Sequence, residues 1–227
     1  MQIVRIWDLP TRLFHWALVV CVIGLVVTAN VGGNAMNWHF RFGYSVLTLL
    51  LFRLVWGLIG GRWSRFARFV YSPGSLLRHL RGEGPPEHSV GHSPTGALSV
   101  FALLLVLVVQ VGSGLMSDDD IAFAGPLTGL VSGETVAWAT NYHKEIGKVI
   151  LIALVILHLL AIGYYRVIKK TNLVGPMVNG DKPLDTPVEP SKDTAGTRLL
   201  ALAVLVACGL VVSRLVAWGQ SSGFSGF

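Results

Sequence analysis

Hydrophobic and polar positions in this chain alternate on the scale of whole segments, not of helix faces or strand pleats. Five apolar runs, near residues 11–31, 39–60, 94–115, 143–169 and 199–218, are almost free of charge. A hydrocarbon core about 30 Å thick takes roughly 20 helical residues to cross. Backbone amides in lipid must be satisfied within their own segment, so each run is predicted as a transmembrane helix. Asp8 and Pro10 stand where a leader would carry basic residues, and no A-x-A-like site follows, so the first run is expected to be retained.

The polar intervals set the orientation. Arg5 and Arg12 precede the first run, and Arg62, Arg65, Arg68, Arg78 and Arg81 fill the interval 61–93. Arg166, Lys169, Lys170, Lys182, Lys192 and Arg198 follow the fourth run, whereas the opposing connections carry Asp118, Asp119, Asp120 and Glu134. The positive-inside rule then predicts a cytoplasmic N-terminus and, with five crossings, a C-terminus on the outer side. Within 61–93, Arg62, Arg65 and Arg68 recur every third residue, with Trp63, Phe66, Phe69 and Val70 on another face, which predicts a short amphipathic helix on the inner surface. A second helix is expected to start with Ser72 as N-cap and Pro73 at its first position. Residues 82–86 read as a turn, 116–142 as an irregular acidic loop and 179–197 as a polar linker. No internal repeat is visible.

Composition sharpens this picture. The 227 residues are 52% hydrophobic and 13% charged, with mean hydropathy +0.61, against about 25% charged in soluble domains. The net charge of +6 is accounted for by the inner loops facing anionic lipid, so no nucleic-acid partner is called for. Cys21 and Cys208 lie within runs and read as small buried hydrophobes.

The candidate chemistry lies in the histidines. His79, His88 and His92 fall in the inner loop and read as solvated. His15 sits near the inner end of the first run, His39 opens the second on the outer side, and His143 and His158 share the fourth. Polar side chains within a membrane are costly and face the bundle interior with a partner. Fifteen residues separate His143 from His158, about 22 Å of helix, with the two rings about 60° apart around its axis. This predicts an outer pair, His39 with His143, and an inner pair, His15 with His158. Facing imidazoles suit the axial positions of haem iron. No C-x-x-C-H attachment motif is present, so the haems would be of b type. Gly43 and Gly147 each follow an outer ligand by four residues and would make room for a macrocycle. Arg41 and Lys144 are candidate partners for propionates; the same two side chains would simply snorkel if no cofactor were there. Arg53 either meets an inner propionate or snorkels. Gln110 and Ser113 read as helix–helix contacts.

"WDLPTRLFHW" (7–16), "WHFRFGY" (38–44), "FRLVWGLIGGRWSRF" (52–66), "GHSPTGA" (91–97) and the span holding His143 and His158 together resemble the bacterial cytochrome b561 family, which includes the b-type cytochrome subunit of nickel–iron hydrogenases. The likeness covers roughly residues 3 to 180. It implies an all-α integral membrane protein: a four-helix bundle, residues 1–180, holding two b haems in the bacterial inner membrane. His15 and His158 would ligate the inner haem, and His39 and His143 the outer. A polar cytoplasmic linker (181–198) and a fifth helix with a short periplasmic tail (199–227) depart from the simplest members. The implied function is electron transfer between membrane quinone and a periplasmic partner, a c-type cytochrome or an oxidoreductase subunit. Asp118 to Asp120 would attract a basic patch on that partner. Two alternatives stand beside it. One is a superoxide:quinone oxidoreductase in which Arg41 and Lys144 steer the anion. The other is a haem-free anchor or a metal or proton transporter.

Overall fold

The computed structural model describes residues 2–85, 88 and 90–223. Pro86, at the end of the expected turn, and tail residues 224–227 lie outside the described residues. In chain order the elements are β1 (Gln2–Arg5), α1 (Leu9–Val31), α2 (Met36–Ile59), α3 (Pro73–Leu80), α4 (Pro94–Leu115), α5 (Gly133–Asn141), α6 (Lys148–Val167), α7 (Val174–Asn179), β2 (Asp181–Leu184) and α8 (Ala195–Gly223). A π-helical turn, Tyr142–Gly147, joins α5 to α6 without a break. Among the described residues, five helical stretches are long and apolar enough to cross a membrane, and each contains or closely overlaps a run read from hydropathy.

Four of these stretches begin earlier than their apolar runs, three of them behind a polar cap. Asp8 precedes α1 and accepts the Thr11 amide at 3.1 Å. Ser132 caps α5 by accepting from Thr135, with Glu134 in the first turn. Thr194 accepts the Thr197 amide at 3.3 Å ahead of α8. A side-chain oxygen at these positions satisfies an amide that has no partner inside the helix.

The chain divides into two compact units, and every long helix contributes a segment to each. The first comprises Met1–Trp16, Arg53–Ala102 and Leu154–Val204. Its apolar core is Val4, Ile6, Trp7 and Val90, with Trp63, Met177, Leu184 and Val188 packed against it. Part of the stretch read as a linker is ordered here as β2, paired antiparallel with β1 from Gln2↔Leu184 to Arg5↔Asp181. Gly180, at φ 93°, turns the chain into that strand, and its carbonyl accepts the amides of Ile6 and Trp7. Such a φ favours glycine, which has no Cβ to clash. Arg5 ties the sheet to Asp181 at 2.6 Å and to the buried carboxylate of Asp193 at 2.7 Å.

The arginine-rich stretch corrects a second expectation. It forms two short 3-10 turns, Arg62–Ser64 and Phe66–Arg68, separated by extended Arg65, in place of a surface amphipathic helix. The reason is tertiary: Ser64 is drawn into a buried knot, described below, and Phe69 is 1% exposed. The following helix, α3, forms as read, with the Ser72 hydroxyl accepting the Ser75 amide and Pro73 in the first turn.

The second unit comprises Ala17–Phe52, Leu103–Ala153 and Leu205–Phe227. Here α1 and α2 approach at Gly24, where a Cβ would sit 2.6 Å from the Phe42 ring. Small residues of this kind let membrane helices come close. The fifth long helix, α8, meets α2 where Gly209 faces Thr48. The acidic loop is more built than expected: Asp119 Oδ1 accepts the amides of Ile121, Ala122 and Phe123, and Asp118 Oδ1 accepts that of Asp120.

Candidate functional site

In the second unit the sequence 110–147 builds one histidine into an unusual backbone. The π turn around His143 carries an extra residue per turn, so an angle counted at 3.6 residues per turn does not hold between His143 and His158. His143 Nδ1 lies 2.8 Å from the carbonyl oxygen of Gln110. The Gln110 side chain returns the contact, its Nε2 donating at 3.0 Å to the backbone carbonyl of His143. Two features make room for this clasp. A Cβ on Gly114 would sit 2.7 Å from His143 Cε1, so the ring rests on bare backbone. A Cβ on Gly147 would collide with Gln110 Oε1 and the Tyr142 ring. The space beside Gly147 therefore accommodates Gln110, where the sequence suggested a macrocycle.

His39, near the start of α2, is held in the same manner. Its Nδ1 lies 3.1 Å from the Leu25 carbonyl and 3.4 Å from the Thr28 hydroxyl. A carbonyl oxygen can only accept, so both histidines carry their proton on Nδ1, and each Nε2 keeps a free lone pair. The rings of His39 and His143 meet edge to face with centroids 6.1 Å apart. Gly43, one turn beyond His39, opens on unfilled space.

This donor set can be tested against the haem implied by the sequence. Two metal–imidazole bonds of about 2 Å each, plus the ring radii, bring facing centroids to about 6 Å. A ligating histidine ordinarily donates its second ring N–H to a carbonyl or carboxylate. His39 and His143 satisfy both conditions. Among the described residues, no three of His, Cys, Asp and Glu converge as an ion held by side chains alone would need.

The other pair lies in the first unit. His15 is half-buried and edge-on to Trp16, and its Nδ1 is buried without a hydrogen-bond partner. His158, half-buried on α6, is close enough for its charge to be felt at His15. The helix below His15 is fixed by a polar knot that the sequence reading missed. Asp8, fully buried, accepts from the Gly61 amide at 2.8 Å and Trp56 Nε1 at 3.0 Å through Oδ2, and from Thr11 and Ser64 through Oδ1. Thr11 donates to Ser64 at 2.7 Å, and a Cβ on Gly61 would strike the Asp8 carboxylate. The first and third quoted motifs therefore meet at one carboxylate. Their signal was a charged residue with two glycines, which reads as helix boundary when taken locally.

The remaining candidates fall as follows. Arg41 is exposed and lies over the Trp38 ring at 4.8 Å. Lys144 is exposed, with Nζ 3.5 Å from the Asp118 carbonyl. The Phe123, Ala122 and Ile121 amides hold the Asp119 carboxyl below the usual carboxylate range, which commits that group to its own loop. His92 departs from the solvated reading. Its ring packs on Phe69 at 4.3 Å and Trp7 at 4.6 Å with Nδ1 buried. That burial, with the charge of Arg53 added, pushes its pKa down to about 3.

Comparison with known proteins adds the following. The family model described as prokaryotic cytochrome b561 matches residues 6–180. A protein of Azotobacter chroococcum mcd 1 named probable Ni/Fe-hydrogenase B-type cytochrome subunit is 24% identical over 215 residues, 78% of this chain and 87% of that protein. One of Bradyrhizobium diazoefficiens with the same name is 23% identical over 218 residues, 79% of this chain and 85% of its own. The probable Ni/Fe-hydrogenase 1 B-type cytochrome subunit of Escherichia coli K12 is 26% identical over 135 residues, 48% of this chain and 57% of that protein. No solved structure is a significant match.

Proposed function

Because the chain belongs to the prokaryotic cytochrome b561 family, a family of membrane-spanning haem b proteins of electron transport, we propose that it binds two b haems, one at each histidine pair, and relays electrons across the bacterial inner membrane. The observation that carries this reading is the His39–His143 pair: both Nδ1 atoms anchored on carbonyls, both Nε2 lone pairs free, centroids 6.1 Å apart. His15 and His158 would hold the second haem. Bound haem supplies an iron that takes up and gives back one electron, at a potential set by ligation, burial and nearby charge.

The protein's own part is to hold those imidazoles still. Leu25 and Gln110 carbonyls fix the Nδ1 protons and leave the donor atoms basic. Asp8, Thr11 and Ser64 fix the start of the helix that carries His15. The arginines of the first unit favour its placement at the cytoplasmic face, with the acidic loop outward. Quinone in the membrane is the proposed exchange partner at one haem. At the other, the names of the relatives favour the electron-transferring subunit of a nickel–iron hydrogenase over the c-type cytochrome suggested by the acidic loop, since Asp119 is spent on its own turn.

An absorption spectrum of the purified protein tests the core of the reading. Reducible α-bands and about two haems per chain are expected, with His39→Ala and His158→Ala each leaving one. A folded protein without haem, or one that loses no haem in either variant, would overturn it. Rapid reduction by superoxide alone, with no response to a hydrogenase, would favour the superoxide:quinone reading.

A further inference from the structure

Arg53 is 3% exposed, so it does not snorkel. It lies in the first unit, the one that holds His15 and His158. Its guanidinium sits over Phe66 at 4.5 Å and near Phe69 at 6.0 Å, and its Nη1 is buried with no acceptor. Cation–π contact offsets only part of what such a cation loses on leaving water. Asp8 is near enough to be felt electrostatically. Both of its oxygens, however, are occupied by Trp56, Gly61, Thr11 and Ser64, and no ion pair with Arg53 forms among the described residues. The ring of His92 also packs on Phe69, at 4.3 Å, near enough to feel the charge of Arg53, and presents a second buried nitrogen, Nδ1, likewise without a partner. Burial keeps that ring neutral, so it serves as a hydrogen-bond donor and not as a second charge.

An unpaired buried cation beside an unpaired buried ring nitrogen, both against Phe69, lacks one thing: an anion with oxygen acceptors. We propose that Arg53 and His92 form a carboxylate site that receives a propionate of the haem held by His15 and His158. The inference rests on the haem reading above and assigns that haem's counter-charge. A free or lipid phosphate offers the same oxygen chemistry. The propionate is preferred because it is delivered by a group already anchored in this unit, so its local concentration is high.

Redox titration of the holoprotein in the His39→Ala background, where one haem is left, separates the possibilities. Removing a positive charge beside the propionate disfavours the reduced haem. Arg53→Gln is expected to shift the reduction equilibrium about tenfold, a fall of ~59 mV for one electron. Arg53→Lys should recover much of it, and His92→Phe, which keeps the aromatic packing, should shift the equilibrium by less. Should Arg53→Gln fail to fold, the other two variants carry the test. Unchanged potentials in folded, haem-loaded variants would overturn the assignment while leaving the functional reading intact. A potential that follows added inorganic phosphate in the parent protein would replace the propionate by a free anion. Absence of haem from the parent would overturn both.

Discussion

Gln110→Leu removes the clasp on His143 while keeping a side chain of comparable bulk that suits the helix. It deletes the 3.0 Å hydrogen bond from Nε2 to the His143 carbonyl, in a turn where the regular ladder is interrupted. The Gln110 backbone carbonyl that holds Nδ1 is untouched. A side-chain hydrogen bond between membrane helices contributes about 0.6 kcal/mol on average and up to about 1.7. A buried carbonyl left without its donor costs roughly 1–3 kcal/mol. On either measure the loss falls on the geometry of one proposed ligand, so haem affinity at His39 and His143 should fall on the order of 10–100-fold, as when an outer partner of a metal-bound histidine is removed. The assay is haem transfer from the purified variant to an apo-globin acceptor, followed at the α-band in a His158→Ala background, where only this haem is left. Release should accelerate over that range while total helix content stays constant. A release rate equal to the parent's would show that the π turn holds itself, and that Gln110 merely lies beside it.

Other perturbations read the remaining joints. Gly147→Ala should phenocopy Gln110→Leu, because the added methyl occupies the place of Gln110 Oε1; a silent substitution would sever the link drawn between the two. Asp8→Asn confronts the Gly61, Trp56, Thr11 and Ser64 donors with an amide that can accept at only one atom, and should destabilise the protein by about 1–3 kcal/mol, read as a lower thermal midpoint in detergent with loss of the His15/His158 haem first. Burial raises the Asp193 carboxyl, but hydrogen bonds from Arg198, Arg5 and the Leu9 amide outweigh it and hold the group below its usual value. A depressed folded-state pKa stabilises above the unfolded value, near 3.9, and that contribution is lost as pH falls through the folded value. Protease protection of the β1 arm should thus be flat from about pH 8 to 5 and fail below about pH 4. Asp193→Asn should weaken the protection at all pH values and remove this acid step, and an arm protected equally in both proteins would refute the role.

Much of the architecture is legible in single segments. A run such as KVILIALVILHLLAIG has one home, lipid, and its helical state follows from the backbone alone. The Ser72–Pro73 start of α3 is equally local and forms as read. The four histidines stand out because an imidazole in such a run needs a reason. Hydropathy sets helix starts late, by two residues at α1 and by ten at α5, because the Asp8, Ser132 and Thr194 caps extend helices beyond their apolar runs. The arginine repeat misled because its period of three matches a helix face, whereas Ser64, Phe66 and Phe69 obey distant partners.

By itself, then, the sequence determined the number of long apolar helices, the helical class and which histidines are candidate ligands, since each depends on what one segment can bury or must satisfy. Only the tertiary structure decided how those ligands are held. Gln110 reaches His143 across 33 positions, Asp8 gathers Gly61 across 53, and Arg5 finds Asp181 across 176. Contacts of that span leave no periodicity in a local window, because their energy arises only after the chain has brought the two ends together.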